Sequence, residues 1–140
     1  MMDAKNRDGL PPVLLEGANL RDNEYGWRPE SFPQALATAE AHRYACVGGQ
    51  FEFRLADGVC EMYWLNADAG DRAHGESWDD YCRRSCREVR DGFNRLMQSA
   101  DFRAQASGFA FLKAKMDKGF DPIPNLVFVA YFVAEHENAK

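Results

Sequence analysis

The chain has 140 residues, 46% hydrophobic and 28% charged, with a net charge of −5 and a pI of about 5.2. That length and composition fit one folded domain and exclude an intrinsically disordered chain. The acidic balance argues against nucleic acid and against anionic membrane surfaces as partners, because both recruit basic patches.

Residues 1–30 are rich in Gly, Pro, Asn and charge, and are expected to form an extended arm ahead of a single α+β domain over 31–135. The opening Met1-Met2-Asp3-Ala4-Lys5-Asn6-Arg7-Asp8 lacks the apolar core of a signal peptide. No segment approaches the roughly 20 apolar residues of a membrane span. The expected location is the cytoplasm, with Cys46, Cys60, Cys82 and Cys86 reduced. Within the arm, Val13-Leu14-Leu15 is apolar enough to lie on the body, and Tyr25 and Trp27 are expected to hold it there.

A first helix is predicted from Ser31, a good N-cap, with Pro33 in its first turn and an alanine-rich run to Ala41. Gly48-Gly49 ends the helical pattern, and Gln50 to Ala56 then alternates in the manner of a strand. Asp57-Gly58 is a signal for a two-residue type I′ hairpin turn. That turn predicts the pairs Leu55/Cys60, Arg54/Glu61, Phe53/Met62, Glu52/Tyr63 and Phe51/Trp64. The apolar pairs, Trp64 included, then share the core face, while Glu52, Arg54, Glu61 and Tyr63 share the outer one.

A polar loop over 66–76 precedes Ser77-Trp78-Asp79-Asp80, a capping-box sequence. Steps of three and four through Tyr81, Cys82, Cys86, Val89, Phe93 and Leu96 predict a long amphipathic helix over 77–100. Residues 109–116 alternate in part and lean toward a strand. Leu126 to Ala134 carries no charge and reads as a central strand buried on both faces. Residues 136–140 form a polar tail. The predicted fold is thus α+β, an antiparallel sheet of three or four strands packed on one face by two helices.

Several side-chain groups bear on chemistry. The cysteines have no CxxC spacing, and Cys82 and Cys86 lie on the apolar helix stripe, where free thiols pack as small hydrophobes. No metal site and no cofactor is predicted, since the histidines lack HxH or HExxH spacing. Arg83, Arg84, Arg87 and Arg90 are interleaved with acidic residues and read as a solvated helix face. The nucleophile and phosphate-loop signatures are missing. The candidate binding residues are Arg54, Glu61, Tyr63, Trp64 and His74, together with Tyr131. If helices cover one face of the sheet, Val127, Val129, Tyr131 and Val133 emerge on the other, to be covered by the N-terminal arm, a second subunit or an apolar ligand, with a homodimer as the first hypothesis.

Gly48-Gly49-Gln50-Phe51-Glu52-Phe53, the segment Cys60–Asp68 and Gly75-Glu76-Ser77-Trp78 resemble parts of small bacterial proteins similar to the products of mobile integron gene cassettes. The resemblance implies an α+β fold and oligomeric assembly, and no reaction. The expected function is a non-catalytic cytoplasmic binding or interaction protein acting as a homodimer, with a small molecule or a protein as possible partner. Two alternatives stand beside it. One is a small enzyme or ligand-binding domain with a pocket between sheet and helices, using Glu61, Tyr63, Trp64 and His74. The other is an immunity protein that neutralises a toxin.

Overall fold

The computed structural model describes residues 10–138. Its sheet is antiparallel throughout and has five strands in the order β1-β2-β5-β3-β4. These are β1 (Ala18–Arg21), β2 (Glu24–Trp27), β3 (Ala45–Leu55), β4 (Gly58–Asp68) and β5 (Leu126–Val133). The helices are α1 (Phe32–Ala41), α2 (Trp78–Ser99), α3 (Phe102–Ser107), α4 (Ala110–Met116) and α5 (Glu135–Asn138). The fold is α+β as the pattern predicted, with five strands in place of the three or four expected and more helices on the core than the two expected.

The extra strands come from the arm. Asp22 and Asn23 adopt φ of 53° and 68°, and this turn with positive φ at both central residues folds 18–27 into a hairpin on β5. Asn and Asp tolerate that conformation better than other non-glycine residues. Leu14 and Trp27 are buried, so the arm is held as expected, but as part of the sheet. The segment Met1–Asp8 lies outside the described residues. The lean toward a strand at 109–116 is corrected: Ala110–Met116 is helix α4, with Leu112 in the core and Lys113 and Lys115 in its last turn. Part of the supposed tail, Glu135–Asn138, is also helical.

The β3–β4 hairpin closes one residue early, at Ala56-Asp57, and neither residue has positive φ. The pairs are Leu55↔Gly58, Phe53↔Cys60, Glu52↔Glu61 and Phe51↔Met62. This differs from the predicted register by an even step, so Phe51, Phe53, Cys60 and Met62 keep the core face. Contacts from α4 accompany the change: Lys115 Nζ reaches Asp57 at 2.8 Å, and a Cβ on Gly58 would stand 2.9 Å from the Phe111 ring. Beyond Met62 the ladder breaks. Gln50 pairs with Asn66, which leaves Tyr63, Trp64 and Leu65 without partners on β3. The bulge turns Leu65 into the core and Trp64 out of it, correcting the predicted core position of Trp64.

All four larger helices, α1 to α4, contribute to one core with the inner face of the sheet. At its centre Phe32, Phe51, Phe93 and Phe128 meet with ring centroids 4.6 to 5.6 Å apart. Aromatic pairs at such spacing each add about 0.5–1.5 kcal/mol beyond their burial. Ser77 caps α2 by accepting from the Asp80 N–H at 3.1 Å, as predicted. β5 is the central strand, with neighbours on both sides.

Candidate functional site

Of the polar side chains predicted on the outer face, Glu52 and Arg54 meet there and Glu61 lies beside Glu52, whereas Tyr63 does not join them. Arg54 and Glu52 are two residues apart on β3 and therefore point the same way, opposite to Phe51 and Phe53. Both are buried, at 7% and 2% exposure. Arg54 Nε donates to Glu52 Oε2 at 2.5 Å, and its Nη1 donates to the backbone oxygen of Asn19 at 2.7 Å and to the Asn19 side chain at 3.0 Å. Nη2 donates to the Glu24 carbonyl at 3.1 Å. The guanidinium thus crosses β5 to bind the first hairpin. Gly26 makes room for it, since a Cβ there would stand 2.9 Å from Val127 and 3.2 Å from Arg54 Nη1.

Glu61 and Glu24 act electrostatically on the Glu52 carboxylate. Glu61 is the direct cross-strand neighbour of Glu52, in place of the predicted Arg54/Glu61 pair. Tyr131 donates its hydroxyl to Glu24 Oε2 at 2.6 Å. Burial pushes the Glu52 carboxyl up, against the lowering effect of Arg54, and Glu61 and Glu24 push it the same way as burial. Burial, then the bond to Glu24, raises the Tyr131 hydroxyl well above the ordinary tyrosine value. With four of its five N–H donors spent within the chain, Arg54 acts as a structural tie between sheet and hairpin.

The face left over by the helices is closed from within around Val127 and Val129, while Tyr131 stays 40% exposed. Val127 and Val129 are 5% and 0% exposed in a single chain. For these two valines the cover comes from within the chain, and a second subunit is not needed there. The space between sheet and helices is filled by the aromatic core, and the clefts beside Glu40 and Arg43 and beside Arg28 and Arg54 lie elsewhere on the surface.

Tyr63 and Trp64 occupy a second location, on the outermost strand β4. They are the most exposed large apolar side chains in the described residues, at 68% and 47%. The Trp64 indole Nε1 donates to Gln105 Oε1 at 2.8 Å and its ring stacks on Phe109, with centroids 6.0 Å apart. Tyr63 meets Trp64 edge to face at 5.0 Å. Phe111, 39% exposed, lies further along the same edge beside Gly58. Asn66 Nδ2 donates to the Tyr63 carbonyl at 2.8 Å, so the bulged edge already satisfies one group that strand addition needs.

His74 sits exposed in the loop before α2, apart from both groups. Its neighbours there are structural: Glu76 receives Arg84 and the Ala73 N–H, which hold its carboxyl at a pKa of about 2. The four thiols are free and buried. Burial raises Cys82 to about 11 and Cys86 to about 12, so neither is a ready nucleophile. Among the described residues no cluster of His, Cys, Asp and Glu is arranged to hold a metal ion, and no helix is long and apolar enough to cross a membrane.

Sequence reasoning missed Asn19, Glu24 and Gly26, the partners that complete the Arg54 site. Asp22-Asn23 between short apolar stretches was the available signal for their hairpin. No protein-family model, curated protein or solved structure matches the chain.

Proposed function

We propose that this is a small non-catalytic interaction protein of the cytoplasm that works as a homodimer, joined through the β4 edge around Tyr63 and Trp64. The observation that carries the reading is this exposed aromatic pair, held rigid by Gln105 and Phe109. Rigid tyrosine and tryptophan side chains bury large area at little entropic cost, which is why they dominate interface energetics. β4 is the outermost strand of the sheet, with only β3 beside it, so its far edge faces outward. Four buried free thiols suit a reducing compartment. The non-catalytic part of the reading is supported by Arg54, whose donors are largely used internally, and by thiols kept protonated.

Sedimentation velocity across a concentration series tests the assembly. The wild type is expected to dimerise, while Trp64→Ala and Tyr63→Glu sediment as monomers. Tyr63→Glu is the cleaner variant, because Tyr63 has only surface contacts to lose. A wild type that stays monomeric into the millimolar range refutes the proposal, as does a Tyr63→Glu variant that dimerises as well as the wild type.

A further inference from the structure

On the outer side of the sheet, beside the buried Arg54, a cleft of about 420 Å³ opens between the first hairpin and the turn before β5. A volume of this order is that of a small-molecule site. Its floor is Val127 and Gly26, and its walls include Asn19, Pro124 and Asn125. Arg28 and Arg54 are both among the residues that line it.

Arg28 is the informative residue. Its Nη1 donates to the carbonyls of Ile123, at 2.9 Å, and Leu126, at 2.6 Å, which fixes the plane of the guanidinium. Both Nη1 hydrogens are then used, and the side edge formed by Nε and Nη2 is left. That edge is the fork that binds a carboxylate through two parallel hydrogen bonds. It already draws one: Glu30 Oε2 stands 3.4 Å from Nε. The Glu30 side chain is 68% exposed, however, so water competes for it and it is readily displaced. Deeper in, the charge of Arg54 is balanced by Glu52, so a single negative charge on a ligand matches Arg28. Asn125 spends its Nδ2 on the Arg54 carbonyl, at 2.8 Å, which leaves its Oδ1 to accept a hydrogen bond.

We propose that this cleft binds a small monocarboxylate, its carboxylate on the Nε/Nη2 edge of Arg28 and its short apolar body over Val127 and Pro124. A more highly charged phosphate suits it less, because the only other cation among the cleft's described lining residues, Arg54, is already paired with Glu52. The proposal is independent of the dimer, since Tyr63 and Trp64 do not line this cleft.

The test is a titration of the full chain, followed by NMR, with benzoate and butyrate as probes, benzamide as the neutral isostere, and inorganic phosphate. Benzoate or butyrate is expected to shift the resonances of Arg28, Asn19 and Asn125 saturably, with benzamide at least tenfold weaker. Arg28→Gln is expected to lose binding by tenfold or more. Because Arg28 also ties two carbonyls, Glu30→Gln serves as the second variant: it removes the internal competitor without touching those bonds and should tighten binding several-fold. The assignment is overturned if neither carboxylate gives a saturable shift, if benzamide or phosphate binds as tightly, or if Glu30→Gln leaves the affinity unchanged.

Discussion

Replacing Arg54 by leucine tests how the outer face is closed. The substitution leaves Glu52, 2% exposed, without its only cation and strips a donor from the Asn19 and Glu24 carbonyls. Removing one partner of a buried ion pair costs about 3–5 kcal/mol. Against a total stability of about 5–15 kcal/mol this is a large share. With a urea slope of about 2 kcal/mol/M, the midpoint falls by about 2 M. The loss also carries a pH signature. In the wild type, burial already raises the folded pKa of Glu52 above its unfolded value. Between those two values the native state binds a proton that the unfolded chain does not, so stability falls as pH rises through the window. Without Arg54 the folded pKa rises further and the window widens. The cost of Arg54→Leu is therefore smaller at the acid end of that window, where Glu52 takes up a proton in the folded variant, than above it. Replacing both residues, Glu52→Leu with Arg54→Leu, should recover part of the stability, as apolar substitutes for buried pairs do. Urea melts at several pH values read all of this. A loss below about 1 kcal/mol, or one that does not change with pH, would falsify the view of Arg54 as the charge that permits Glu52 to be buried.

Other consequences follow from particular contacts. Carboxyl-detected NMR should find Glu76 titrating near 2, and Arg84→Gln should return it toward the ordinary glutamate range, since the Arg84 bonds are the largest cause of the depression. The sign here is opposite to that of Glu52: the Glu76 contribution to stability is present above the unfolded value and is lost as pH falls toward about 2. Gly49→Ala should cost about 1–3 kcal/mol in a thermal or urea melt, because its Cβ would lie 2.3 Å from the Val129 carbonyl oxygen and 2.4 Å from the Phe128 ring. A neutral result there means that β3 and β5 are further apart than described. At mildly alkaline pH a disulfide reagent should label the native thiols slowly and all four only on unfolding, given their burial and the raised values of Cys82 and Cys86. Fast labelling of either is inconsistent with its place in the core.

Where one local signal decided the outcome, the sequence was legible. The charge-free run at 126–133 became the central strand, and the steps of three and four after Ser77 became α2 with its cap in place. Both rest on short-range rules of periodicity and capping that few tertiary contacts can override. The segment 109–116 has no such dominance. Its composition favours helix and its alternation favours strand, and the docking of Leu112 into the core settled the matter for helix. The candidate site was half legible: alternation put Glu52, Arg54 and Glu61 on one face, but it could not say that the arm would return to lie beside β5 and supply Asn19 and Glu24.

The face assignment in the long hairpin shows the same division. A side-chain period of two fixed which residues of 51–55 and 58–62 point inward, and that assignment survived an even shift of register unchanged. The shift itself, and the bulge that turned Trp64 outward, come with contacts to Phe111, Lys115 and Phe109, which are far from the hairpin in the chain. Alternation is a property of the strand alone and can be read from residues two apart. Register, bulges and the partners of a buried charge belong to pairs of segments, and only the folded chain brings those pairs together.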